Sequence, residues 1–561
     1  MTKHPVFALS DALIDEFSAL RPMMATMMGV PGHDHRWDDL SPAGFATYAA
    51  AVEAWAARVD ALPPPKDRWD ALAVAVCRDW VALERDALAH GDHRVDLNNI
   101  ASNFQNIRMC FDMIDASTAQ GWSAIATRLE SIRAPLEGYR DTLAEGLARG
   151  ERVSARQVRA CVAQGRVNAS PEGYFHGLPA AFDASGVGDP ALRARIVAAA
   201  PIAAGAYAAL SDWLEGEYLP HAREEDGVGR ARYARAARRF VGMDIDPEET
   251  CAWGWSEVRR LRDEILRVGR EIAPVSSVVE LFTLLRGDAS RGVADRESFL
   301  AEMRARQARA LSELDGTRFD IPEPIKRVDV KIAPPGGPLG AYYVPPSEDL
   351  SRPGTVWYSL EGDGPFPLYD EVTTAYHEGF PGHHLQCGLQ VYLRENLCRV
   401  HRLAYMYSGY AEGWALYAEQ LMDELGYFER PEYRVGMLAM QLLRACRVAF
   451  DIGAHVGLRI PDDAPFHPGA SWTFELGVEF MRDLGGLSEE HARSEVTRYL
   501  GWPGQAISYK VGQREMLALR GAWVAKHGPD SLKAFHHRVL DVGNVSLEML
   551  RGLVLDDAGA A

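Results

Sequence analysis

Residues able to do chemistry are concentrated in Thr374-Ala375-Tyr376-His377-Glu378-Gly379-Phe380-Pro381-Gly382-His383-His384-Leu385-Gln386. A His-Glu pair with a further histidine one to two turns on can set two imidazoles and a carboxylate base around one zinc ion. The common spacing is H-E-x-x-H, with histidines at i and i+4 on one helix face. Here the fifth position is Pro381 and His383 stands at i+6, about 120° round and roughly 9 Å along a regular helix. Pro381 cannot donate to the His377 carbonyl and crowds that turn, while Gly382 accepts backbone angles that other residues resist. A local bulge absorbing two residues would bring His383 to the place of the second ligand. His384, at i+7, competes: it shares a face with His377 but lies about 10.5 Å along the axis. His383 is favoured. A solvated surface cluster is the plain alternative, but three histidines and a glutamate within eight residues fit it poorly.

A zinc site that keeps a position open for water needs a third protein ligand. The segment Ser408-Gly409-Tyr410-Ala411-Glu412-Gly413-Trp414-Ala415-Leu416-Tyr417-Ala418-Glu419 offers two carboxylates, seven residues apart and so on one helix face. Their apolar neighbours predict a buried helix, in which a carboxylate needs a metal, a cation or hydrogen bonds. Glu412 fits a ligand, and Glu419 an acceptor that orients a ligand imidazole. A structural salt-bridge helix is the alternative. Glu378, directly after a ligand, is placed to accept a proton from a metal-activated water and pass it on. Tyr509 follows a Trp502-Pro503-Gly504 turn that can present a side chain to a developing oxyanion, although packing is the commoner use of such a tyrosine. Lys510 reads as a surface cation or one behind the ligands. Arg447, Asp451 and His455, at i, i+4 and i+8 in an otherwise apolar segment, lie within reach of one another on one helix face. They could order the groups behind the metal or bind a substrate carboxylate with Arg447 as the fork, or form a structural ion network. His401 and His467 have no supporting pattern and read as structural or surface residues.

The elements that must position these groups are mostly helices. Roughly the first 270 residues read as helix after helix. Pro42 to Val59 opens behind the N-cap candidate Ser41. Ile125, Leu129, Ile132, Leu136, Tyr139, Leu143 and Leu147 mark a stripe on one long helix from Ala124 to Leu147; Gly150 stops it and Ser154 starts the next. Near residue 320 the texture changes. Arg327 to Ile332 alternates polar and apolar, as a strand does. A cluster of Pro334, Pro335, Gly336, Gly337 and Pro338 follows, then strand candidates Ala341–Val344 and Gly354–Leu360. The stretch Val356 to Leu360 is a candidate sheet edge on which an extended substrate could be added as a strand. Helical patterns resume near Tyr369 and run to the end.

Composition sets the frame. The 561 residues carry 60 Lys+Arg against 78 Asp+Glu, a formal net charge of −18, which argues against nucleic acid or an anionic membrane surface as partner. The length exceeds one simple core. Seven scattered cysteines without a C-x-x-C pair fit neither a disulfide framework nor a zinc ribbon, and point to a reducing cytoplasm. Asp11 interrupts the start before any apolar stretch long enough for a signal peptide, and the most apolar run, Ile196 to Leu210, is shorter than the ~20 residues a bilayer needs.

Together, HEGFPGHHLQ, GYAEGWALYAE and WPGQAISYKVG resemble a large bacterial family labelled as a domain of unknown function, similar in fold to the gluzincin zinc peptidases of the thimet-oligopeptidase and thermostable-carboxypeptidase groups. The resemblance covers most of the chain, takes in Ser351 to Tyr358, and is strongest from about residue 325 to 515. It implies a mainly helical, two-lobed metallopeptidase with a central cleft and a small antiparallel β-sheet next to the active-site helix. A helical lobe would span 1–270 and a catalytic lobe 271–561. Carried over, His377 and His383 look like the imidazole ligands of one Zn2+, Glu412 the carboxylate ligand, Glu378 the base, and Tyr509 the residue presented to the transition state. The two-residue expansion of H-E-x-x-H is the departure. The expected function is a cytoplasmic zinc hydrolase acting on short or unfolded peptides. Its rivals are an amidase or esterase for a small non-peptide molecule and a non-enzymatic binding protein with a structural metal.

Overall fold

In a computed structural model, the described residues are 3–333 and 340–555; the proline-glycine cluster at 334–338 lies outside them. The chain is mainly α-helical with small sheets, and divides into two units, Met1–Asp226 with Cys398–Ala404, and Gly227–Leu397 with Tyr405–Ala561. The division falls at Asp226 and not near residue 270, because helices Arg230–Val241 and Pro247–Gly269 pack on Pro431–Val456 and so join the second unit.

The first unit is helical throughout its regular structure. Ser41 caps Pro42–Asp60, accepting from Gly44 N at 3.2 Å. The stripe from Ile125 to Leu147 is carried by two helices, Ala119–Ser131 and Arg133–Ala148, not one. Pro135 has no N–H for the Ser131 carbonyl, and the first helix ends there. Helix Pro190–Trp213 takes in the apolar run and buries Ile196, Ala199, Ala203, Tyr207 and Leu210. By length and composition the continuous segment Pro190–His221 is apolar enough to cross a membrane, more than the run alone suggested, yet half of its apolar window is buried within the protein. His401 is buried on Arg399–Leu403.

The second unit holds all the proposed chemistry. Its helices are designated α1 (Arg230–Val241), α2 (Pro247–Gly269), α3 (Arg296–Leu314), α4 (Glu371–Glu378), α5 (His383–Tyr392), α6 (Ser408–Glu424), α7 (Pro431–Val456), α8 (Glu489–Gly501) and α9 (Ser508–His527). Strands β1 (Val328–Ile332), β2 (Ala341–Val344) and β3 (Gly354–Tyr358) form a sheet in the order β1-β3-β2. The β2–β3 pair is antiparallel and β1–β3 parallel, with Val330 opposite Val356. So β3, with partners on both sides, is the central strand and not the edge that Val356 to Leu360 suggested. Its pattern of buried residues on both faces explains why its sequence lacks clean alternation.

Helix α7 packs against α2, α4 and α9, and α6 packs against α4 and α9. The α6–α9 crossing is made by glycines. A Cβ on Gly413 would lie 2.7 Å from Gly512 Cα, closer than atoms tolerate. Backbone therefore meets backbone one residue from Glu412 and three from Tyr509. His467, an exposed residue outside this cluster, pairs with Glu479 at 2.8 Å.

Candidate metal centre

The HEGFPGHH segment is a break between two helices, and not a bulge in one. Helix α4 ends at Glu378 and α5 begins at His383. Pro381 leaves the His377 carbonyl without its i+4 donor, and a Cβ on Gly382 would overlap the carbonyl oxygens of Tyr376 and His377. The intervening turn is clamped from outside. Gln307 of α3 donates to Ala375 O at 2.6 Å and accepts from Phe380 N at 2.7 Å. Trp414 of α6 donates to Pro381 O at 2.9 Å. These two clamps carry no local signal in the motif.

The break brings His377, His383 and Glu412 together, with one ligand atom of each within 4.8 Å of the others. His377 Nε2 lies 3.3 Å and His383 Nε2 3.5 Å from Glu412 Oε2, and the imidazole rings stand perpendicular at 4.9 Å. His377 is 5% exposed. Glu412 Oε2 is buried, yet no donor meets it with hydrogen-bond geometry. A buried carboxylate oxygen without a donor, aimed between two imidazole nitrogens, suits a dication. His377 Nδ1 lies 2.6 Å from Glu419 Oε1, which keeps a proton on Nδ1 and turns Nε2 inward, the nitrogen that a metal would take in exchange for its proton. Two imidazoles and one carboxylate are a donor set that fits zinc.

His384 faces elsewhere. Its Nε2 donates to Ile325 O at 2.8 Å and its Nδ1 accepts from the Tyr343 hydroxyl of β2 at 3.0 Å. Burial holds it neutral, with its pKa down at about 4. Both nitrogens are engaged, so His383 joins the cluster and His384 anchors α5 to the sheet.

Charges around the three residues are interdependent. For His377, burial opposes protonation, but Glu412 and Glu419 outweigh it and lift the pKa to about 10 in the metal-free protein. Glu412 is driven below the usual carboxylate range: burial works against this, and the two imidazoles overcome it. Glu378, half-buried, is raised by burial and by Glu412, against the pull of His377, His383 and Arg444. Tyr509, second residue of α9, is half-buried; burial and then the Glu412 charge raise its hydroxyl pKa. Its ring lies under Arg447 at 5.0 Å and Arg444 at 5.8 Å.

The remaining residues form supports. Lys510 is buried, which excludes a surface role. Its Nζ donates to Gln441 Oε1 at 2.7 Å and Gln513 Oε1 at 2.8 Å, and pairs with Glu257 at 3.3 Å. Gln441 Nε2 in turn donates to Glu419 Oε2 at 3.4 Å. Arg447, Asp451 and His455 share a face of α7 but mostly bind other elements. Arg447 donates to Glu495 at 2.9 Å and to the Tyr499 hydroxyl at 2.8 Å, both on α8. Its fork is therefore taken. Asp451 accepts from Tyr233 at 2.7 Å and from Gly504 N at 3.0 Å, fixing the turn that leads to Tyr509. His455 Nε2 donates to Tyr499 O at 3.0 Å and lies 3.8 Å from Asp451. Sequence reading missed Gln307, Tyr343, Gln441, Arg444 and Glu495; only Arg444 had an available signal, its i−3 spacing from Arg447 on one helix.

No curated protein matches the chain. A crystal structure of a presumed lipoprotein from Colwellia psychrerythraea is similar over 98% of both chains, at 22% identity and a TM-score of 0.84. A presumed lipoprotein of unknown function from Shewanella oneidensis is similar over 98% of this chain and all of its own, at 19% identity and a TM-score of 0.77. These likenesses show a shared fold. The profile of a family described as bacterial protein of unknown function, DUF885, matches residues 22–554, and the chain belongs to that family.

Proposed function

We propose that this protein is a zinc-dependent hydrolase, and specifically a metallopeptidase acting on short or unfolded peptides. The reading rests on the convergence of His377 Nε2, His383 Nε2 and Glu412 Oε2, with Glu419 behind the first ligand and Glu378 beside it. These three would hold one Zn2+, which supplies Lewis acidity toward a carbonyl and makes a water nucleophilic at neutral pH. Glu378 takes the proton of the attacking water and delivers it to the leaving amine. Tyr509 offers its hydroxyl to the oxygen that gains charge, and Arg447 and the Asp451–Gly504 bond hold it in place. Strand β2, an edge of the sheet among the described residues, packs near α4 and suits an extended peptide added as a strand.

The test pairs metal content with product masses from a defined peptide mixture. Glu378→Gln is expected to keep zinc and abolish turnover; retained turnover removes Glu378 from the base role. A protein whose zinc-restored activity falls on amide-bearing metabolites and not on peptides refutes the peptidase reading. The cytoplasm is the proposed compartment, because none of the seven cysteines forms a disulfide. Recovery in a membrane fraction, as the description of the Colwellia and Shewanella proteins as lipoproteins would suggest, reverses that point.

A further inference from the structure

Arg444 is a cation without a counter-ion beside the reacting groups. It stands three residues before Arg447 on α7, half-buried. One of its terminal nitrogens donates to the Met440 carbonyl at 3.2 Å and contacts the Met440 sulfur at 2.8 Å. Its Nε is buried and has no partner, and no carboxylate among the described residues pairs with it. Its neighbours differ. Arg447 is bound by Glu495, and Arg498 holds the same carboxylate with two nitrogens.

The Arg444 guanidinium lies over the Tyr509 ring at 5.8 Å, beside the side chain proposed to meet the reacting oxygen. An arginine with open donors in a partly desolvated place is costly unless something meets it. Its planar fork matches a carboxylate with two parallel hydrogen bonds.

We propose that Arg444 binds a carboxylate of the substrate close to the bond that is cut. The proposal rests on the peptidase reading above and narrows it to peptides with an anionic group on one side of the reacting bond. Two sources share this chemistry, the free C-terminus of a short peptide and an acidic side chain.

The experiment uses the zinc-loaded protein and one short peptide in three forms: free acid, C-terminal amide, and amide with glutamate as last residue. The wild type is expected to favour a carboxylate-bearing form over the plain amide by about 10- to 100-fold in kcat/KM, mainly through KM, as a charge-assisted pair implies. In Arg444→Gln that ratio is expected to fall toward one, and Arg444→Lys to keep part of it, at unchanged zinc content. If the free acid alone is favoured, the anchor reads the C-terminus; if both anionic forms are, it reads a carboxylate wherever it lies. Calorimetry with the Glu378→Gln variant, with and without Arg444→Gln, reads the same preference without turnover. An equal response to all three forms in the wild type, with peptides still cleaved, overturns the role of Arg444 and leaves the peptidase reading standing. An Arg444-dependent preference in binding with no peptide cleaved by the wild type does the reverse.

Discussion

Glu419→Gln isolates the group behind the first imidazole without changing the three proposed ligands. Glu419 is 1% exposed. Its Oε1 accepts from His377 Nδ1 at 2.6 Å and its Oε2 from Gln441 Nε2 at 3.4 Å. Glutamine keeps the length but has a single oxygen. If that oxygen faces His377, the new NH2 group meets the NH2 of Gln441. Gln441 cannot turn over to relieve this, because its NH2 would then face Lys510 Nζ, which its Oε1 now meets at 2.7 Å. If the oxygen faces Gln441, His377 Nδ1 loses its acceptor. Either way one buried donor is left unmatched and the negative charge is gone. Loss of such a partner lowers metal affinity by about 10- to 100-fold, or about 1.4–2.7 kcal/mol at 1.36 kcal/mol per decade. The donor conflict places the expected value in the upper part of that range. Competition with a chromogenic zinc chelator at fixed pH measures it, and thermal melting of the metal-free variant controls for folding. Unchanged zinc affinity in a folded variant refutes the argument.

Two further outcomes are expected. Gly382→Ala should lower zinc affinity by at least about tenfold while leaving every proposed ligand in place, since the new methyl must push aside backbone carbonyls and move His383; native affinity on the same chelator assay counts against the helix break as the positioning device. Acid should weaken the fold through two histidines that burial keeps neutral to about pH 4, His384 and His536. Below the unfolded value of ~6.5 the unfolded chain binds protons that the fold refuses, so stability falls from ~pH 6.5 to ~pH 4, by at most about 3 kcal/mol for each group. Urea midpoints across that range for the wild type and for His384→Asn and His536→Asn isolate the two contributions from buried carboxylates of opposite slope such as Glu371 and Asp96, and equal slopes in all three proteins would contradict it.

The site was legible to the extent that local chemistry encodes it. The His-Glu pair, the Pro-Gly step and the seven-residue spacing of Glu412 and Glu419 are short-range facts, and helix periodicity converts them into a face. The form of the break was not legible, because Gln307 and Trp414, which clamp it, come from other helices. Arg447, Asp451 and His455 were placed correctly on one face, but the face alone could not show that Glu495, Tyr233 and Gly504 would take their bonds. Lys510 stayed open between a surface cation and one behind the ligands, because a lysine is buried only where several acceptors converge, and here Gln441, Gln513 and Glu257 come from three stretches of chain. Whether strand β3 is an edge was not legible, since its pairing with β1 is non-local. The stripe from Ile125 to Leu147 was continuous in period, and Pro135 still divided it.

The glycine crossing of α6 and α9 also sets how far thermal motion can disturb the site. With no side chain between the backbones at Gly413 and Gly512, the helices cannot slide closer and have little to compress. A tilt of one helix on the other about that contact would act over short arms here. Tyr509 is three residues from that pivot, a lever arm of about 4.5 Å, and Glu412 is one residue from it. A tilt of roughly 10° therefore carries the start of the Tyr509 side chain by only ~0.8 Å. The same tilt would carry residues far along α9 through larger arcs than the tyrosine, so the crossing places Glu412 and Tyr509 where such a displacement is smallest.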